Sequence, residues 1–376
     1  MKIYLVGGAV RDKLLNLPVK ERDYVVVSAT IHDMLALGYQ QVGKEFPVFL
    51  HPQSKEEYAL ARMERKIKPG YQGFTFDTAP TVTLEDDLLR RDLTINAMAM
   101  DLASQKIIDP YGGQDDLKNK MLRHISPAFT EDPVRVLRIA RFYARYACLG
   151  FQIADETWGL MRNMVSSGEI NALVAERVWK EFERALGEKN PEKFFDVLEK
   201  IHAMSILFPH LSSNGRGIQA LITSVNITTD TAIRFAALLH ALPEDSDHTS
   251  SSKKIISDYC HRYRVPNTYR ELALLTAQHQ ATILKASTLT AHELLQLFYA
   301  LDIFRRDVRF KKCLMACHAI ALSQKHELNI DWIIACAKQA TSVDAKQFLE
   351  KGFTGEELAL QLRQEREKRI QNYLRG

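Results

Sequence analysis

A chain of 376 residues with 46% apolar content has material for two or more hydrophobic cores, and its formal charge of +4 tolerates a polyanionic partner without demanding one. No run of about 18 uncharged apolar residues occurs and no apolar leader follows Lys2, which argues against membrane spanning and secretion and for a cytoplasmic chain. Cys148, Cys260, Cys313, Cys317 and Cys336 are odd in number and scattered, so reduced, mostly buried thiols are expected rather than a disulfide framework or zinc knuckle.

Residues 5 to 27 carry the first signal. Gly7 and Gly8 follow a short apolar strand and precede a segment with helical spacing at Val10, Leu14 and Leu15. Such a strand-to-helix turn suits a phosphate, because glycine lets backbone N–H groups approach an anion and Arg11 adds a guanidinium fork. Glu21 and Asp23 lie two apart at the start of the run Tyr24–Val27, which predicts both carboxylates on one face of a strand and, as paired hard oxygen ligands, Mg²⁺. Either piece alone also reads as an ordinary turn or a charged strand entry. Their conjunction, with no Walker-type or GxGxxG loop competing, points to phosphate chemistry.

Thr30 to Gly38 reads as a short helix, Gln40 to Leu50 as a hairpin around Gly43 and Pro47, and Glu56 to Arg62 as a strand. Glu57 is the candidate third carboxylate, with Glu56 beside it as the alternative. Met63 to Thr83 reads as a polar Gly/Pro loop. Leu84 to Ala97 reads as one helix that brings Asp87, Arg91 and Thr94 together, with Arg90, Arg91, Asp92 and Asn96 offering donors and an acceptor suited to a ribose and a triphosphate. Asp109-Pro110-Tyr111-Gly112-Gly113 has the chemistry of a turn. At Asp132 and Pro133 a helix is expected to start, placing Arg135, Arg138, Arg141 and Arg145 on one side and Val136, Leu137, Ala140 and Ala144 on the buried other. Asp132 one turn before Arg135 sets an acceptor beside a donor fork, a pair able to meet the Watson–Crick edge of a base. From there on only helices are expected, with linkers near 211–216 and 243–253 and a basic stripe in 355–375 (Arg363, Arg366, Lys368, Arg369, Arg375) that suits either solvent or RNA.

Gly7-Gly8-Ala9-Val10-Arg11-Asp12 with the later carboxylate pair resembles the first signature of the polymerase-β-like nucleotidyltransferases, specifically the bacterial class II tRNA nucleotidyltransferases, or CCA-adding enzymes. Arg90 to Ala97, Ile108 to Gly113, Glu131 to Arg138 and Ala175 to Glu181 resemble the signatures that follow. The resemblance implies an α+β fold: a polymerase-β-like head over residues 1–122, a helical neck over 123–205 with the nucleotide-selecting helix, and a helical body and tail over 206–376 that bind tRNA. It implies addition of C, C and A to the tRNA 3′ end from CTP and ATP without a nucleic-acid template, by two-metal transfer that releases pyrophosphate. Glu21 and Asp23 would hold Mg²⁺, with Glu57 as a further catalytic acid. Gly8, Arg11, Arg91 and Asn96 would hold the nucleotide, Asp92 the sugar hydroxyl, Asp132 and Arg135 the base, and Arg138 the nucleotide again. Glu21 stands where most relatives have aspartate.

Two other functions fit in part. A poly(A) polymerase of the same family shares the head, but Val42 to Pro47 has an acid where those polymerases resemble one another in a second basic residue. A non-catalytic RNA-binding protein would have lost Asp23 or Arg91, and both are present. Many relatives also carry an HD phosphohydrolase domain, yet here Ala241 follows His240 where the aspartate would stand, so that site is expected to be degenerate.

Overall fold

In the computed structural model, which describes residues 1–42, 48–66, 74–242 and 252–375, the β-branched run after Glu21 becomes an inner strand of a seven-stranded sheet. Strands β1 (Lys2–Val6), β2 (Asp23–Val27), β3 (Gln40–Val42), β4 (Val48–Leu50), β5 (Glu57–Leu60), β8 (Ala99–Asp101) and β9 (Ile107–Ile108) lie in the order β3-β4-β5-β2-β1-β8-β9. Among the described residues of this sheet only β2 and β5 pair in parallel, and their register sets Asp23 beside Glu57, while antiparallel β1 sets Val6 beside Asp23. The end of β1, which leads into Gly7, therefore adjoins the starts of β2 and β5. Helix α1 (Gly8–Leu14) leaves the sheet there, and α2 (Ile31–Ala36) follows β2 behind a Thr30/Asp33 capping box. β3 and β4 pair antiparallel as the hairpin reading requires, but residues 43–47, including the acid that bears on the poly(A) alternative, lie outside the described residues.

Two sequence expectations fail in this part of the chain. Within the expected loop of 63–83, β6 (Met63–Lys66) pairs antiparallel with β7 (Phe74–Asp77); residues 67–73 lie outside the described residues. The helix of 84–97 stops early: α3 spans Leu84–Leu89, Leu93 bridges to His124, and Thr94–Asn96 form a single 3₁₀ turn. Hydrogen bonds outside the helical ladder explain the break, one local and one tertiary: Asp92 Oδ1 accepts from the Leu93 N–H, and the Thr94 N–H donates to Arg123 O. Thr94 Oγ1 then bonds Asp116 in α4 (Gly113–Lys118) at 2.6 Å, away from Asp87 and Arg91. Asp109 accepts from the N–H groups of Gly113 and Gln114, which makes the 108–113 segment the structural turn its composition suggests.

The remaining elements up to residue 206 are helical apart from a short parallel pair, β10 (Met121–Leu122) with β11 (Gln152–Ile153), a strand that the all-helical reading missed. Helix α5 (Val134–Tyr146) buries Val136, Leu137, Ala140 and Ala144 and packs against α7 (Ala175–Leu186) and α8 (Glu192–Lys200), with α6 (Asp155–Ser166) between them in sequence. Its arginine side is not left to solvent, because Arg135 and Arg141 are buried too.

Contacts divide the chain into residues 1–206 and 207–376, with α9 (Met204–Leu207) at the division. The second unit is built of α10 (Arg216–Ser224), α11 (Thr231–Leu239), α12 (Ser252–Arg262), α13 (Asn267–Leu284), α14 (Ala291–Ala300), α15 (Asp307–Ser323), α16 (Ile330–Thr341), α17 (Lys346–Leu349) and α18 (Gly355–Arg375). In α18 the basic stripe is partly a packing face: Arg366 lies 4.0 Å from the Phe304 ring centroid and donates to Tyr299 Oη, and Arg369 bonds Glu365 and Ser342. All five cysteines are free, and only Cys148 is exposed. Among the described residues no helix is long and apolar enough to cross a membrane.

Candidate active site

Every residue singled out from the sequence as a catalytic, metal or nucleotide ligand lines one cleft of about 1220 Å³ in the first unit. At its centre is the turn after β1. Gly7 has φ 68° and ψ −129°, its N–H is held by Met98 O, and a Cβ built there would lie 2.6 Å from Arg91 Nη1. The positive φ favours glycine, and any larger residue would also have to displace the guanidinium packed across it. Gly8 opens α1 beside Arg11. That arginine does not reach freely into the cleft as the sequence suggested: Nε and Nη2 donate to Asp12 Oδ1 at 2.9 and 2.8 Å, Nη1 donates to Asn96 Oδ1, and the group lies over the Phe142 and Tyr146 rings. With Arg11 only 3% exposed, a guanidinium without acceptors would be costly, and the neighbouring aspartate supplies them.

The carboxylates gather at the starts of the inner strands β2 and β5. Glu21 lies ahead of β2, not within it, so strand alternation does not account for its direction. It is nonetheless near enough to act on Asp23. Burial by the cleft walls, opposed by the charge of Arg91 and reinforced by that of Glu21, raises the Asp23 carboxyl above its ordinary range. Glu57 is its register partner on β5 and lines the cleft. Glu56 instead accepts from Ser54 Oγ at 3.0 Å and, at longer range, from Arg22 and Tyr24. Among the described residues no three His, Cys, Asp or Glu side chains close into a ligand cage, so the acids form an open rim rather than a finished chelate. An all-oxygen rim whose members repel one another suits a hard divalent cation.

Buried Asp87 organises the cationic side, accepting from Arg90 Nε and Nη2 and from Arg91 Nη2. Arg91 Nε is buried with no hydrogen-bond partner. Asp92 accepts from Leu93 N–H and Asn96 Nδ2 through Oδ1 and from Arg138 Nε at 2.6 Å through Oδ2. Burial opposes its charge, but Arg138, these hydrogen bonds and Arg135 outweigh that and hold the carboxyl far below the usual range.

Asp132 and Arg135 both face the cleft, though each is already occupied. Arg177 forks onto both Asp132 oxygens at 2.9 and 2.7 Å, and Arg135 donates to the carbonyls of Ala128 and Arg90 at 3.1 and 2.6 Å. Arg177 is a cleft residue that the sequence reading missed; it missed also buried Glu181, which accepts from Arg141 Nε at 2.6 Å. Four residues apart on α7, the two look like a self-contained helix pair; in the fold each reaches a partner on another segment. Asp12 and Tyr146 were missed too, and nothing in their spacing, 134 residues apart, announces their hydrogen bond.

A family model described as the poly A polymerase head domain matches residues 3–123, and one described as a probable RNA and SrmB-binding site of polymerase A matches 150–214. The chain is 47% identical over 386 residues to the multifunctional CCA protein of Thioalkalivibrio sulfidiphilus, with 94% of each chain covered. It is 47% identical over 390 residues to that of Haemophilus influenzae, again with 94% of each covered, and 45% identical over 401 residues to that of Nitrosococcus oceani, with 98% of each covered. Among solved structures, a CCA-adding enzyme in complex with CTP shares the fold with a TM-score of 0.71 at 22% identity, covering 98% of this chain and 87% of that one. The Thermotoga maritima CCA-adding enzyme complexed with tRNA has a TM-score of 0.69 at 21% identity, covering 99% and 87%.

Proposed function

Since the chain belongs to the CCA-adding family of class II tRNA nucleotidyltransferases, we propose that it adds C, C and A to the 3′ end of tRNA from CTP and ATP, in the cytoplasm, without a nucleic-acid template and with release of pyrophosphate. The observation that carries this reading is the meeting, in one cleft, of the Gly7 turn, the in-register acids Asp23 and Glu57, and the Asp132/Arg135 start of α5. Such an arrangement offers separate surfaces for a triphosphate, a metal-assisted attack and a base. The head, 1–122, the neck, 123–205, and the body and tail, 206–376, divide these tasks, with tRNA contacts extending into the last.

In this reading Glu21 and Asp23 hold Mg²⁺, with Glu57 beside them. Bound divalent cations, two in this mechanism, supply the polarisation that makes the tRNA 3′ hydroxyl a nucleophile and neutralises the pyrophosphate that leaves. Arg91, fixed by Asp87 over the Gly7 turn, faces the triphosphate oxygens with Gly8; Arg11 shapes that wall from behind. Asp92 and Asn96 present the sugar side, and Arg138 holds Asp92 ionised. Asp132 and Arg135 read the base edge once Arg177 yields or shares the Asp132 oxygens. The test is incubation of the purified protein with tRNA transcripts lacking CCA, lacking CA and lacking A, with CTP and ATP supplied singly and together. Products ending in CCA from all three are expected. Homopolymeric adenosine tails, or no extension, would overturn the reading.

A further inference from the structure

The polar groups in the wall of the cleft form a closed circuit that begins and ends on α5. Near the C-terminal end of the helix, Tyr146 Oη donates to Asp12 Oδ1 at 3.1 Å and Arg145 Nη2 lies 3.4 Å from Asp12 Oδ2. Asp12 is held by Arg11, Arg11 donates to Asn96, Asn96 donates to Asp92, and Asp92 accepts from Arg138, two helical turns before Tyr146 on the same helix. Tyr146 is 0% exposed and Asp12 6%. Burial pushes the Tyr146 phenol well above its ordinary range, so it stays a donor throughout the neutral region. The ring packs against Phe142 and Phe151, which fixes its direction independently of the hydrogen bond.

We infer that Asp12 and Tyr146 are positioning residues for nucleotide selection: they pin the far end of α5 to α1, so that the Asp132/Arg135 end of the helix is held at a set distance from the Gly7 turn. The inference rests on the base-reading role proposed for Asp132 and Arg135. Asp12 lines the cleft but has no side-chain hydrogen bond to Gly7, Asp132 or Arg135. It acts through the helix. A buried network with every member satisfied has one low-energy arrangement, and withdrawing a member loosens the spacing between triphosphate and base, which must be right together for one nucleotide to be preferred over another.

The test compares Tyr146→Phe, which keeps the ring and removes only the donor, and Asp12→Asn, which keeps the shape and removes the charge, with the wild type and with Asp132→Ala. The readouts are kcat and KM for CTP, UTP and ATP on tRNA transcripts lacking CCA and lacking A, and the thermal midpoint. For Tyr146→Phe the preference for CTP over UTP is expected to fall by about fivefold, through KM for CTP, as for other networks that modulate a distant site. Asp12→Asn should fall at least as far, and the double variant no further than Asp12→Asn alone, since the two act through one contact. If all rates fall equally and the preference stands while Asp132→Ala does blur it, the circuit is structural only and the inference fails by itself. If Asp132→Ala leaves the preference untouched as well, the base-reading role falls first and this inference with it. Should Asp12→Asn not fold, Tyr146→Phe alone decides by the same two outcomes.

Discussion

Gly7→Ala perturbs one atom and tests the centre of the site. The backbone there has φ 68° and ψ −129°, a region nearly closed to residues with a Cβ, and holding alanine in it costs about 1–3 kcal/mol. The added Cβ would lie 2.6 Å from Arg91 Nη1 and 3.7 Å from Asn96 O. The arginine tip can swing aside, but doing so weakens its 3.1 Å contact with Asp87, and a hydrogen bond to a charged group is worth about 1.5–3 kcal/mol. Taking the lower part of each range, a stability loss of about 2–3 kcal/mol is expected, a large share of the total of about 5–15 kcal/mol that a typical domain has. Displacing Arg91 should also lower kcat/KM for CTP by about tenfold or more, the kinetic equivalent of losing one such contact. Urea unfolding followed by circular dichroism measures the first and steady-state kinetics the second. Gly159→Ala is the control: this glycine is within α6, no atom lies within 4 Å of its Cβ position, and alanine there should stabilise by about 0.5–1 kcal/mol. A Gly7→Ala protein that unfolds at the wild-type urea concentration and keeps its KM would refute both the backbone argument and the placement of Arg91.

Asp23→Asn should abolish nucleotide addition yet raise the thermal midpoint at neutral pH. The native carboxyl has a raised pKa, so the stability it lends belongs to the protonated form, is complete below about 3.8, and is lost as pH rises through the native pKa; the stabilising effect of asparagine should therefore fade toward acid, and Mg²⁺ should raise the midpoint of the wild type more than that of the variant. Glu21→Asp should retain addition; a complete loss in the same transcript assay would show that the backbone before β2 is fitted to the longer arm. Asp132→Ala should increase UTP and GTP incorporation relative to CTP and, by leaving Arg177 without its fork, cost about 1–3 kcal/mol in urea unfolding; equal loss of all rates with the CTP-then-ATP order kept would contradict the base-reading role. His240 lies buried at the end of α11, its Nδ1 on Ala237 O, its Nε2 without a partner and its pKa pushed down to about 4 by burial, so no hydrolysis of 2′,3′-cyclic AMP with Mg²⁺, Mn²⁺ or Ni²⁺ is expected; metal-stimulated hydrolysis that disappears in His240→Ala would overturn this.

What the sequence revealed and what it hid follow from the range of the forces involved. Gly7, the run after Asp23 and the apolar side of α5 obey local rules, with glycine conformation, β-branching and a helical period each acting within a few residues, and all three appear in the fold where those rules put them. Pairing of charges obeys no such rule. A basic residue beside a glycine turn has an obvious use in holding a phosphate, whereas burial forces Arg11 onto Asp12 and Asn96, and Asn96 is 85 residues away. Arg177 and Glu181 stand four apart on α7, a spacing that permits a local pair, while tertiary packing gives each a partner farther off: Asp132 45 residues back for one, Arg141 40 residues back for the other. The arginines of α5 carry the lesson furthest. Their period on the helix is visible in the sequence, but the acids that let this side be buried come from α1, from Asp92 and from α7. A charged helix side reads as solvated until three separate segments are known to converge on it, and in this fold the helix so held lines, with Asp132 and Arg135 at its start, the same cleft as Asp23.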